Sequence, residues 1–421
     1  MTVKFTVTGS TNEDTQPKME RLYYSPVFIN VCDIVDRRSK VHCYCDSNKP
    51  KIATRADCWV FGGGITEEDL IWPSFSSQSE IEHLMFNVRS DDALTFIPAK
   101  AIVRLDKLKH ISIQFGTIKR IPPYAFTNSS TVRQIVLKAN KISTLEKHSF
   151  SQMMMLSNLS LDENLISELK RDVFFGLPNL HVLHLSNNNL SLIHEGCFKH
   201  LNNLIELNLD FNYISVVTRE MLEGLENLSR LNMRNNKLTM VGNLAFSELW
   251  GLKELMLDNN AIEYISERAF GGLTQLRKLT LSGNKLTTFY EDILEDIRSL
   301  VVLDLRYNML EVISYETVRP VVENDKSAST AVYLEGEANN KAVSTKRRYF
   351  FLWFRIQSQR VLKTIFYRIL KNKWWRKWRI IVPINFNVAK RRKISIDTNT
   401  ITLILVVWEI VFDFFKCILF E

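Results

Sequence analysis

The stretch LPNLHVLHLSNNNLSLI, residues 177–193, decides the fold of this chain. Its apolar residues follow a fixed order: leucine, two residues, leucine, one residue, leucine, two residues and asparagine. The same order returns in LNNLIELNLDFNYISVV, residues 201–217, and in LWGLKELMLDNNAIEYI, residues 249–265. The asparagines that close the pattern are spaced 24 residues apart: Asn140, Asn164, Asn188, Asn212, Asn236, Asn260, Asn284 and Asn308. A second column keeps the same step with large apolar residues: Phe126, Phe150, Phe174, Phe198, Leu222, Phe246, Phe270 and Leu294.

Self-similarity at this fixed period is typical of leucine-rich repeats. Each copy supplies a short strand whose alternate side chains point inward, and the strands of stacked coils pair with each other. No single coil can bury its apolar face alone, so stability has to come from stacking. We therefore predict an α/β leucine-rich-repeat solenoid, curved, with a parallel β-sheet on its concave face and an irregular or short helical convex side.

The asparagine column is predicted to be a structural ladder. Each asparagine lies where the chain turns out of its strand, so its amide can satisfy backbone groups of two coils. A net hydrogen bond contributes ~1 kcal/mol, whereas a buried group without a partner costs ~1–3 kcal/mol. The amide is therefore expected to be required in every coil.

Charge is distributed unevenly along the 421 residues. The net charge is +8, but residues 341–393 contain 17 Lys and Arg and no Asp or Glu. The rest of the chain therefore carries −9, the difference between +8 and +17. The basic pI belongs to one segment, so no nucleic acid is expected as the partner of the repeats.

Four cysteines, Cys32, Cys43, Cys45 and Cys58, precede the repeats. Zinc sites usually bring two ligands within a short C-x2-4-C spacing, which this cluster lacks. A disulfide-bonded cap over the open end of the solenoid is favoured over a zinc site, and it requires an oxidising compartment. Four cysteines allow three pairings, and the spacing does not choose among them.

The cysteine cluster followed by 24-residue repeats resembles the extracellular leucine-rich-repeat family. The segment VCDIVDRRSKVHCYCDSNKPKIATRADCWVF, Val31 to Phe61, is similar to the flank of insect cell-surface adhesion proteins of that family. The resemblance implies the disulfides Cys32–Cys45 and Cys43–Cys58, and a function in cell adhesion that includes pairing with another copy on a facing cell. The alternatives are a secreted or surface receptor for a separate protein ligand and an intracellular repeat scaffold. Residues 1–10 contain no apolar run of signal-peptide length, which favours the scaffold, whereas the cysteines favour an extracellular or cell-surface location.

The family's usual second cysteine-rich flank is missing after Gly336. The basic segment that follows, rich in tryptophan, is read as a divergent tail, with binding to an anionic membrane surface or to nucleic acid as alternatives. The last hydrophobic stretch has roughly the length of a membrane span, but Glu409, Asp413 and Lys416 lie inside it, so membrane association through it stays open. We predict these regions: 1–29 N-terminal tail, 30–80 cysteine-rich flank, 81–320 repeats, 321–340 partial final repeat, 341–400 basic aromatic tail and 401–421 hydrophobic segment.

No catalytic pattern is present: the sequence lacks HExxH, GxSxG and a P-loop. We predict no enzyme activity, no cofactor and no metal. The residues between the core leucines should point out of the concave face, where mixed charges and a few aromatics suit a protein partner. The predicted contact residues are His184, Asp210, Phe211, Arg234, Asp258, Arg306 and Tyr307.

Four Asn-X-Ser/Thr sequons mark candidate glycosylation sites, in agreement with an exported protein. They lie at Asn128, Asn158, Asn189 and Asn227. Asn158 falls in a strand segment, so a glycan there would obstruct the N-terminal part of the concave face.

Overall fold

The computed structural model describes residues 29–34, 39–89, 93–126, 130–311, 313–323 and 330–334. Its centre is a 13-stranded sheet in which one strand of each coil pairs with the next. This confirms the predicted solenoid. The sheet strands are β1 (Val41–Cys45), β2 (Arg55–Val60), β3 (His83–Val88), β4 (His110–Gln114), β6 (Gln134–Val136), β8 (Asn158–Ser160), β10 (Val182–His184), β12 (Glu206–Asn208), β13 (Arg230–Asn232), β15 (Glu254–Met256), β17 (Lys278–Thr280), β18 (Val302–Asp304) and β19 (Ala331–Tyr333).

The pairing register follows the sequence period. Leu183 lies opposite Leu207, and Leu231 lies opposite Leu255, in parallel strands. These inward leucines have no exposed surface. Because each coil keeps the 24-residue register, residues that are 24 apart in the sequence lie next to each other in the core.

The opposite side of each coil has little regular structure. In the described residues, three two-stranded sheets lie there, together with short 3-10 helices at Glu220–Leu222 and Glu291–Leu294. Two more 3-10 helices, Val31–Asp33 and Trp72–Gln78, belong to the cap. The small sheets pair β5 (Arg120–Ile121) with β7 (Thr144–Leu145), β9 (Glu168–Leu169) with β11 (Leu192–Ile193), and β14 (Met240–Val241) with β16 (Tyr264–Ile265).

The phenylalanine column forms a stack of rings between the sheet and this side. The rings of Phe150 and Phe174 are 6.3 Å apart and nearly parallel, and Phe174 lies 6.2 Å from Phe198. Offset stacking at this distance adds to the stabilisation from burial.

The asparagine column makes the ladder hydrogen bonds. Asn188 donates from Nδ2 to the carbonyls of Leu161 (3.0 Å) and Leu185 (3.1 Å). Its Oδ1 accepts from the amide of Ile166 at 3.1 Å. One side chain thus satisfies backbone groups of two coils, and Asn164, Asn212 and Asn236 repeat the arrangement.

The N-terminal cap continues the sheet. β1 pairs antiparallel with β2, and β2 pairs parallel with β3. The disulfides are Cys32–Cys45 and Cys43–Cys58, as the family resemblance implied. Trp72 and Phe75, both fully buried, fill the space between the cap and the first coil.

Helix α1 (Ala99–Ile102) lies before β4, and helix α2 (Tyr315–Glu323) precedes β19, which extends the sheet by one strand beyond β18. Cys197 is a free, buried thiol. Within the described ranges, no helix is long and apolar enough to cross a membrane. The sequon at Asn128, the N-terminal tail, the basic aromatic tail and the hydrophobic segment lie outside the described residues.

Candidate protein-binding face

The outward residues of the sheet strands form four columns, which together we call the concave face. They start at His110, Ser112, Gln114 and Phe115 and advance one coil at a time. Neighbouring strands are ~4.8 Å apart, so nine coils give a surface ~40 Å wide. That width suits a folded protein partner better than a small molecule.

Arg234 and Asp258 form the most buried ion pair on this face. Arg234 Nε lies 2.6 Å from Asp258 Oδ2, and Asp258 is only 6% exposed. Thr280 donates its hydroxyl to Asp258, and Ser282 donates both Oγ (2.7 Å) and its backbone amide (3.1 Å).

Burial alone would raise the pKa of Asp258. The hydrogen bonds from Thr280, Ser282 and Arg234 outweigh that effect and hold the pKa below its usual value. Asp258 is therefore a buried anion that positions Arg234, rather than an exposed contact of its own.

Arg306 is fixed in a similar way near the last coil. Its guanidinium lies 2.6 Å from Asp304 Oδ2 and 5.0 Å above the ring of Tyr333. The hydrogen bond to Asp304 raises the pKa of Arg306. The pair leaves a cation at a defined place beside the exposed Tyr307.

A row of charges that the sequence prediction missed crosses three coils. Arg230 lies between Glu206 (3.2 Å) and Glu254 (3.4 Å), and these carboxylates raise its pKa. Acid, base and acid at 24-residue steps were visible in the sequence. Charges that alternate in sign along the repeat register are therefore the sequence signal for such a row.

His184 occupies the middle of the face between two acids. Its Nδ1 lies 3.8 Å from Asp162 Oδ2, and its Nε2 lies 3.4 Å from Glu206 Oε1. Asp210, two coils after Asp162, accepts a hydrogen bond from Asn235 Nδ2 at 2.9 Å. The coils of β8, β10 and β12 therefore present more acid than base.

Three aromatic side chains stand out of the face at the point where the chain leaves the strand. Phe115, Phe211 and Tyr307 are 59%, 53% and 57% exposed. Their backbones have φ of 62°, 52° and 55°, in the left-handed region that large residues seldom adopt. Glycine occupies the same position at Gly283, where a Cβ would come within 2.3 Å of Asn259 Oδ1. The solenoid thus holds exposed aromatics on a strained turn, where a partner can reach them.

The face continues N-terminally from β4 onto β3 and the cap. His83 stacks on His110 with ring centroids 4.3 Å apart, and burial followed by the neighbouring His110 lowers the pKa of His83. Arg89 lies 4.1 Å above the ring of Trp59. His83 and His110 are 27 residues apart, so the 24-residue period could not identify them as neighbours.

The described sequons occupy three different environments. Asn158 is half-buried in β8, and its Oδ1 accepts from Ser157 Oγ at 2.7 Å. Asn227 is exposed, and its Nδ2 donates to the carbonyl of Asn202 at 2.7 Å. Asn189 is exposed in the turn after β10. Across the described ranges, no group of three His, Cys, Asp or Glu residues is arranged to hold a metal ion.

Comparison with known proteins agrees with this architecture. The leucine rich repeat family matches residues 106–166, 155–214, 226–286 and 250–310. Connectin of Drosophila melanogaster is 36% identical over 116 residues, which are 27% of this chain and 17% of connectin. The matched segment is therefore a small part of that relative's length.

Two solved structures align with this chain at low sequence identity, and the first of them shares its fold. TLR13, from its complex with ssRNA13, aligns with a TM-score of 0.57 and 22% identity, over 65% of this chain and 38% of TLR13. A chain of the octameric complex of Latrophilin 3, Unc5D and FLRT2 aligns at 0.48 and 22% identity, over 69% of this chain and 90% of its own length. The chain therefore contains leucine-rich repeats over residues 106–214 and 226–310, and it resembles connectin over 27% of its length.

Proposed function

We propose that the concave face is a protein-recognition surface and that the chain acts in cell adhesion outside the cell. The observation that carries the proposal is the set of exposed aromatics, Phe115, Phe211 and Tyr307, on a face whose charges are largely paired internally. Binding energy at protein interfaces is concentrated in a few aromatic and arginine residues. The aromatics are already held outward, so little ordering cost remains on binding.

The charged pairs support recognition of a specific partner. Arg234 forms an ion pair with Asp258, and Arg306 forms an ion pair with Asp304. Their guanidinium groups are therefore pre-positioned, and a partner that meets them needs complementary acids at matching places. Asp162 and Glu206, the acids on either side of His184, would instead meet basic groups of the partner.

Two disulfides support an extracellular location, because such bonds persist in oxidising compartments and are rare in the cytosol. They count against the intracellular scaffold. The resemblance to connectin supports adhesion, and another copy of the chain on a facing cell is the first partner to test. A separate protein ligand is the alternative, and membrane association through residues 401–421 remains a proposal that the described residues do not reach.

The test is a clustering assay with the full chain on beads under non-reducing conditions. Clustering of beads that carry only this chain is expected, and Phe211→Ser or Tyr307→Ser should abolish it. Trp250→Ser is the matched control, since Trp250 is 51% exposed but lies in the loop before β15. Beads that stay dispersed at high density yet bind a different surface protein would replace homophilic adhesion by ligand capture. Equal loss with the control would contradict the assignment to the concave face.

A further inference from the structure

One flank of the repeats, just after the chain leaves the sheet, carries a band of exposed apolar residues. Leu192, Val216, Met240 and Tyr264 hold the same register position in four adjacent coils, and we call them the flank stripe. They are 50%, 58%, 48% and 45% exposed. The same column is polar on both sides of the stripe: Arg120, Thr144 and Glu168 before it and Thr288 after it. The apolar residues are therefore a local feature of these coils and not a requirement of the repeat.

A second column widens the stripe toward the sheet. Leu165 and Tyr213, 47% and 54% exposed, lie one coil before and one coil after Asn189. Backbone hydrogen bonds fix this column, because Asn189 N donates to Ile166 O (2.9 Å) and Tyr213 N donates to Leu190 O (2.8 Å). At ~4.8 Å per coil, the flank stripe is ~15 Å long. Its exposed apolar area is on the order of 400 Å², a size at which patches on soluble proteins are often functional.

The sequon at Asn189 opens onto this surface. Its asparagine is exposed, and among the described residues no hydrogen bond engages its side chain, whereas Asn158 and Asn227 are both engaged. Ser191, the third residue of the sequon, is exposed next to Leu192. An acceptor amide thus stands between two apolar side chains, Leu165 and Tyr213, at one end of the flank stripe.

We propose that an N-linked glycan on Asn189 covers the flank stripe and packs its first sugar on Tyr213. The proposal rests on the extracellular location given above, because the donor is a lipid-linked oligosaccharide of the secretory pathway. The Asn189 amide nitrogen attacks the anomeric carbon and loses one proton. A C–N bond forms, the bond from that carbon to the lipid pyrophosphate breaks, and no oxidation or reduction occurs.

The chemistry of a sugar suits this surface. The C–H face of a pyranose ring is apolar and packs on an aromatic ring, while its hydroxyls stay hydrated at the edge. A core glycan of several rings is long enough to reach along the stripe toward Tyr264. A glycan at Asn189 would block a protein from docking on the flank stripe. A second copy of the chain can therefore cover the stripe only if Asn189 carries no glycan.

The experiment uses the full chain secreted from a glycosylating cell line. Peptide mapping gives the occupancy of Asn189 and Asn227, and timed release by a peptide-N-glycosidase on native protein gives the accessibility of each glycan. Slower release at Asn189 than at Asn227 is expected. Tyr213→Ser should speed release at Asn189 about fivefold, the effect of losing one aromatic packing contact, and leave Asn227 unchanged. Tyr290→Ser, at a 45% exposed tyrosine several coils away, should change neither rate.

A second measurement follows the stripe itself. Asn189→Gln should bind more of a hydrophobic dye than Asn227→Gln, because only the first change uncovers the apolar residues. Occupied Asn227 with bare Asn189 would overturn the proposal while leaving secretion intact, and so would a release rate at Asn189 that ignores Tyr213→Ser. Self-association of a bare Asn189 form that Met240→Glu abolishes would also overturn it, in favour of a second copy. Failure of both sequons in a chain retained inside the cell would defeat the proposed function as well.

Discussion

The inner and outer sides of the same strands obey opposite rules. Inward positions repeat almost without change, as Leu183, Leu207 and Leu231 show, because each side chain has to fill the same space between two coils. The outward positions that alternate with them vary in size and charge, from Val182 through Glu206 to Arg230. The difference teaches that the period of this chain encodes its fold, whereas departures from the period carry the recognition chemistry that we propose.

The largest effect on stability is expected from a substitution on the inner side of the sheet. Asn212→Leu removes hydrogen bonds to the carbonyls of Leu185 and Leu209 and to the amide of Leu190. The Leu190 amide is left buried without a partner, while the Leu185 and Leu209 carbonyls each lose one of two donors and keep Asn188 or Asn236. The unsatisfied amide and the two lost bonds together should lower the free energy of unfolding by about 4 kcal/mol, measured by urea denaturation. The control is Asn202→Leu at an exposed position, which should change stability by less than about 0.5 kcal/mol. Equal destabilisation by both variants would contradict the ladder's role.

A slightly smaller effect is expected at the cap. Replacing Cys43 and Cys58 together by alanine opens a loop with a sequence separation of 15 and should cost about 3 kcal/mol. Cys197→Ala, at a buried thiol outside any disulfide, should cost clearly less. Thermal unfolding under oxidising and reducing conditions checks this. The reductant should lower the unfolding temperature more in the parent chain than in the double variant, because the double variant has no Cys43–Cys58 bond to lose.

Asp258 belongs to both sides of the sheet: its side chain is buried, but it forms an ion pair with the outward-facing Arg234. Arg234→Leu should destabilise the chain by about 2 kcal/mol at neutral pH, because a charge-assisted hydrogen bond is lost. The lowered pKa of Asp258 means that its carboxylate stabilises the fold fully above the ordinary aspartate pKa of ~3.9, and that this stability is lost as pH falls through the lower folded value. Arg234→Leu raises the folded pKa, so the loss should begin at higher pH. An acid-unfolding curve that keeps its midpoint in the variant would show that Arg234 does not hold this carboxylate.

The sequence sufficed for the inner side because every element there obeys one spacing. It predicted the coils and the asparagine ladder, and the family resemblance supplied the disulfide pairing. It did not predict how β3 pairs with β4, because the step from His83 to His110 is 27 residues and the period offers no register there. Asp258 was predicted to be a contact residue. Nothing local in the sequence shows that Thr280 and Ser282, a full coil away, enclose its carboxylate.

Footprinting of aromatic side chains by hydroxyl radicals tests most directly whether the outer side of the sheet meets a partner. The full chain is compared on dispersed and on clustered beads, and oxidation is quantified by peptide mass. Phe211 and Tyr307 should become protected on clustering, while Trp250 and Phe175, exposed but remote from the concave face, should not change. Protection of Trp250 or Phe175 with Phe211 and Tyr307 still oxidised would contradict the account.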